Sequence, residues 1–205
     1  MAERGRWPSI EAHGLLSASA LLDVYGIGGA ERDAIESHRR PASVTLEHPK
    51  LGRATIRDQI PMDDAALARC LQDGLTPRDW YRLLNGRVFF WPSRSRLRRL
   101  LHAKPYRHLE HDVIEIDATS LVRAHRDRIW LCPINSGCTR PFPQPRGAGT
   151  FRRIADYPYS QWRAKRPRGE RVVELAVDYA VPDIAAHVTR VVRMRGDEAL
   201  EVLRG

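Results

Sequence analysis

The run RVVELAVDY at 171–179 sets one carboxylate, Glu174, among apolar residues. Read as a β-strand, it places Val173, Leu175 and Val177 on one face and Val172, Glu174 and Ala176 on the other. Burying Glu174 between apolar neighbours is costly unless a cation pairs with it or a reaction uses it. Two readings follow. One is a core salt bridge to an arginine, which is abundant here: 31 of the 34 basic residues are Arg. The other is an active-site carboxylate that stabilises positive charge or moves a proton.

A second chemistry precedes this strand. Between 140 and 171 there are nine basic residues against only Asp156 and Glu170, a net +7 of the chain's +9. Phe142, Phe151, Tyr157, Tyr159 and Trp162 are interleaved with them. Cations beside aromatic platforms suit a phosphate backbone and an unstacked base. The nucleic-acid candidates are Arg152, Arg153, Tyr157, Tyr159, Trp162, Arg163 and Arg166. Compositional bias toward Arg explains the choice of Arg over Lys, but not the concentration of charge in one region.

Other catalytic signatures are missing. There is no Gly-x4-Gly-Lys phosphate loop, no Gly-x-Gly-x-x-Gly after a strand and no His-Glu-x-x-His helix. Cys132 and Cys138 lack paired zinc spacing, and His108 with His111 does not complete a site, so no metal is expected. Ser17 and Ser19 near His13 read as helix-cap or packing residues. His125, at a helix end, reads as a surface residue near the last carbonyls.

The elements that must position these groups read as a mixed α+β fold. Helices are expected at 7–13, 17–25, 30–38, 63–71, after the Thr76-Pro77-x-Asp79 cap, at 94–102 and through His125, with a short one near Glu198. Strands are expected at 43–47, 53–57, 87–91, 112–117, 128–132, around Glu174 and at 187–193. Because strands and helices do not alternate strictly, a doubly wound parallel sheet is not expected. Residues 133–149 form a Pro/Gly-rich loop too long to be a simple connector.

A chain of 205 residues with 42% hydrophobic and 29% charged residues suits a single globular domain. No apolar run reaches the roughly 20 residues of a membrane span. The start MAERGRW lacks a signal-peptide core, making the cytoplasm the expected compartment. The odd set Cys70, Cys132 and Cys138 suggests free thiols.

Taken in order, several segments resemble the DarT-type DNA ADP-ribosyltransferases. WPSIEAHGLLS (7–17) is similar to that family's opening turn and helix, and VFFWPSRSRL (88–97) to its aromatic strand and the helix start that follows. VIEID (113–117) through INS (134–136) resembles the next strand, helix and strand. VVELAV (172–177) with VPDI (181–184) looks like the strand that carries the catalytic glutamate. Arg6 stands at the family's Asn position, and the position of its NAD-contacting His falls before Met1. Residues 58–87 look like an insertion. The chain also resembles a closer bacterial family whose function that likeness does not settle.

The resemblance implies an ADP-ribosyltransferase-like split β-sandwich with peripheral helices, a single domain over 1–205. Glu174 would be the catalytic glutamate, and Arg39 or Arg40 would aid it. Gly14, Leu15 and Ser17 would lie beside NAD, and Phe89 or Phe90 in the nicotinamide pocket. The co-substrate would be NAD, consumed in modifying a base of single-stranded DNA presented by 133–170. A toxin or defence role, with an antitoxin partner and no membrane, belongs to the same expectation. The alternatives are transfer to protein, RNA or a small molecule, and an inactive relic that only binds nucleic acid.

Overall fold

The structure, a computed structural model, describes all 205 residues. Its core is built from two antiparallel four-stranded sheets. One has the order β1 (Ala2–Glu3), β6 (Glu110–Ile116), β11 (Val188–Arg195) and β12 (Glu198–Arg204). The other has the order β5 (Arg87–Phe90), β9 (Glu174–Asp178), β7 (Ile129–Cys132) and β8 (Arg152–Arg153). Fold class at the level of mixed α+β is therefore as expected.

The second sheet separates two cores. Its register pairs Glu174 with Cys132, Ala176 with Trp130 and Phe89, and Val177 with Ile129 and Val88. With side chains alternating along each strand, Val177, Val88, Ile129 and Leu131 face one way. They meet Val188 and Val191 of the first sheet, Trp7 of α1 (Trp7–His13) and Leu121 of α7 (Ala118–His125). Ala176 and Cys132 face the other way, toward α4 (Asp64–Cys70) and α5 (Pro77–Asn85).

Local sequence explains these two helices. Asp63 caps α4 by accepting a bond from Ala66 N at 2.8 Å. Thr76 and Asp79 form a reciprocal capping box before α5, with Pro77 in its first turn. Trp80, Tyr81 and Leu84 then lie on the buried stripe of α5. Residues 58–87 are thus integral packing against the Glu174 face of the sheet.

A third cluster joins α2 (Ala18–Val24) and α3 (Gly29–Glu36) to the hairpin of β3 (Val44–His48) and β4 (Gly52–Ile56). A short ladder of β2 (Leu15–Leu16) with β10 (Ala180–Val181) brings the turn after α1 beside the end of β9. Gly14 makes that approach: its φ is +84°, and a Cβ there would meet Pro182 Cα at 2.6 Å.

Two expectations are corrected. The strand bearing the carboxylate begins at Glu174, because residues 171–173 precede the ladder. The segment after Gly196 is the strand β12, where a short helix was expected. Helical propensity in EALE yields to pairing with β11, which Gly196 at φ +54° permits by turning the chain back. No helix is long and apolar enough to cross a membrane.

Candidate active site

Glu174 is 4% exposed, and no lysine or arginine forms an ion pair with it. The core salt bridge allowed by the sequence is therefore not made; Arg96, whose charge is felt at Glu174, pairs with Glu170 instead. The carboxylate accepts the Ser136 amide at 3.2 and 3.1 Å to its two oxygens. Burial pushes its pKa up from 4.5 to about 7, against the opposing pull of the Ser136 hydrogen bonds. Across the ladder, burial first and then the Glu174 charge hold the Cys132 thiol well above its usual range.

Ser136 is itself clamped. Its carbonyl accepts Trp80 Nε1 at 3.2 Å and Arg146 Nη1 at 2.8 Å. Arg146, 1% exposed, also donates to Cys138 O at 2.9 Å and Gln144 O at 3.0 Å. One buried guanidinium thus ties down the loop after β7 and fixes the amide that holds Glu174. Neither Ser136 nor Arg146 was among the site residues expected from the sequence. The only available signal was an arginine inside a Pro/Gly-rich loop.

Glu174 opens onto a cleft of about 890 Å³. Gly14, Leu15, Ser17, Arg40, Phe89 and Phe90 line the same cleft, together with Asn135, Ser136 and Arg57. Both phenylalanines lie on β5, an edge strand. Ser17 is buried and has a structural duty as well, capping α2 through Ala20 N at 3.1 Å.

The arginine pair divides. Arg40 enters the cleft; its guanidinium donates to Ile35 O, to Arg57 O at 3.1 Å and to Asn85 Oδ1 at 2.9 Å, with no carboxylate in ion-pair contact. Burial lowers its pKa to about 10. Arg39 does not line the cleft, and its guanidinium reaches only Ile60 O at 3.4 Å. A side chain at the next position in the chain leaves in another direction, so only one of the pair can face the site.

The residues proposed to contact nucleic acid are dispersed, and none lines the cleft. Tyr157 is 4% exposed and bonds Arg171 O at 2.6 Å, so it is a core residue and offers no stacking face. Arg153 stacks on Trp130 at 3.7 Å and pairs with Asp178 at 3.2 Å. Arg166 covers Trp162 at 4.3 Å and donates to Pro133 O. Arg152, Tyr159 and Arg163 remain exposed, the last two on α8 (Tyr159–Lys165).

His125 departs from its expected surface role. It is 9% exposed, and its Nε2 lies 2.8 Å from Asp183 Oδ1.

Fold and site together define a class: a mixed α+β protein whose two antiparallel sheets flank a cleft ending on a buried carboxylate. Within it, the chain belongs to DUF7002, a family of unknown function whose model matches residues 1–188. No curated protein matches the chain, and neither does any solved structure.

Proposed function

We propose that the protein is an NAD-consuming ADP-ribosyltransferase with Glu174 as its catalytic carboxylate. One observation carries this reading: a buried carboxylate without a cation partner, held by the Ser136 amide, lines a large cleft beside Gly14, Arg40 and Phe89. The two-sheet architecture supports assignment to the split-sandwich type. In volume the cleft is at the upper end for small-molecule sites, which suits a dinucleotide. Arg57 has no carboxylate in ion-pair contact and is the cation available to a pyrophosphate, with buried Arg40, bonded to Ile35, Arg57 and Asn85, adding positive charge beside it. Phe89 and Phe90 offer aromatic surface to a nicotinamide.

In this reaction the bond from the ribose C1′ to the nicotinamide nitrogen breaks and its electron pair leaves with nicotinamide. Positive charge builds on the ribose, as in glycoside cleavage. Ionised Glu174 stabilises that charge and hydrogen-bonds the ribose hydroxyl. The acceptor nitrogen then bonds to C1′ and gives up its proton, for which Glu174 is the available base.

We take a nucleobase of single-stranded DNA as the acceptor, because duplex pairing hides the reactive atoms. The exposed cations Arg152, Arg163 and Lys165 would hold its backbone. A base-modifying enzyme of this kind endangers its own cell's DNA, so a toxin or defence role with an antitoxin partner follows. A second reading, transfer to a protein or small molecule, is favoured by the absence of residues 152–166 from the cleft lining.

The test is incubation with adenine-labelled NAD and single-stranded oligonucleotides, for the native protein and Glu174→Gln. Label on DNA that falls about a hundredfold or more in the variant supports the lead reading. Label on added protein alone supports the second. No NAD turnover with any acceptor rejects both.

A further inference from the structure

Away from the cleft, the end of α7 meets the turn between β10 and β11. There His125, Asp183 and His187 place one donor atom each within 4.8 Å of one another. His125 Nε2 faces one oxygen of Asp183 at 2.8 Å, and His187 Nε2 faces the other at 3.3 Å. Both histidines are buried, whereas Asp183 is 46% exposed, so the cluster is open to solvent on one side.

Proton positions follow from Ser120. Its hydroxyl has one hydrogen and lies 3.0 Å from the Asp117 carbonyl, which can only accept. Ser120 Oγ must therefore accept from His187 Nδ1, 2.9 Å away. That leaves the Nε2 of a neutral His187 with a bare lone pair aimed at a carboxylate oxygen. Two electron-rich atoms at 3.3 Å repel unless something positive lies between them. A second ring proton would serve, and so would a metal ion.

We propose that His125, Asp183 and His187 form a binding site for a divalent transition-metal ion of the zinc type. Two imidazoles and a carboxylate are a set that zinc accepts, with the open side supplying water as the fourth ligand. A tetrahedral ion with bonds of about 2.1 Å spaces its ligands by roughly 3.4 Å, and the three donors, all within 4.8 Å of one another, would close on the ion by side-chain movement. Ser120 orients His187 from behind, as outer partners of metal-bound histidines do. The ion would pin α7 to the turn on which Gly14 rests, which gives it a structural role independent of the chemistry in the cleft.

The test uses full-length protein stripped with a chelator. Calorimetric titration with Zn²⁺ should show one ion per chain at micromolar affinity or tighter. Co²⁺ should give the visible absorption of a tetrahedral site. His187→Gln and Asp183→Asn should each weaken binding at least a hundredfold, and Ser120→Ala about tenfold. Asp183 is half-exposed, so its variant keeps the test open if a buried histidine variant fails to fold. The proposal is overturned if Zn²⁺ binds only at millimolar strength, or if Asp183→Asn binds as the native chain does. It is also overturned if nitrogen NMR with Zn²⁺ present shows His187 doubly protonated, because a proton then fills the place.

Discussion

Glu174 is buried without an ion-pair partner, and its pH behaviour follows from that. In the unfolded chain the group ionises near 4.5; in the fold it keeps its proton to about 7. Its contribution to stability is complete below 4.5, is lost as pH rises to about 7, and stays lost above that. At about 1.4 kcal/mol per pH unit, the ionised carboxylate costs about 3 kcal/mol above neutrality. Glu174→Gln should therefore match the native protein in urea denaturation at pH 4 and exceed it by about 3 kcal/mol at pH 8. An equal difference at both pH values would contradict this. Because the ionised form does the chemistry, nicotinamide release should rise with pH through about 7.

At the scale of elements, the site rests on a loop and a turn. Arg146→Met should remove three charge-assisted bonds from the loop after β7 and cost on the order of 4 kcal/mol. Faster hydrogen exchange at the Ser136 amide should accompany that loss. A cost below about 1 kcal/mol would show that the guanidinium does not hold the loop. Gly14→Ala combines a left-handed φ with a Cβ 2.6 Å from Pro182 Cα, so a loss of about 2 kcal/mol or more is expected in thermal unfolding. What the sequence disclosed at this scale was local. The Thr76–Pro77–Asp79 cap acts within three residues, and the alternation around Glu174 follows from the strand's period. What it concealed depends on distant partners. The EALE segment is a strand only because β11 lies beside it, the Ser136 contact spans 38 residues, and the choice between Arg39 and Arg40 is made by packing against Asn85.

For the molecule as a whole, charge and cleft occupy different places. The +7 stretch seen in the sequence is partly spent internally, on Trp130, Trp162 and the loop carbonyls, leaving Arg140, Arg152, Arg163, Lys165 and Arg168 exposed. Exchanging Arg152, Arg163 and Lys165 for serine should leave nicotinamide release intact while DNA labelling falls about tenfold. The salt dependence of DNA binding should become shallower by up to about 0.7 for each phosphate no longer neutralised. Unchanged labelling would move the acceptor away from that surface. The central claim is that Glu174 is the carboxylate on which NAD cleavage depends. Its most direct test is the rate of nicotinamide release from NAD by the native protein and by Glu174→Gln, with circular dichroism confirming that both are folded. The native protein should turn NAD over, and the variant should lose at least about a hundredfold of that rate. Equal release by the two folded proteins, or none by the native one, would contradict it.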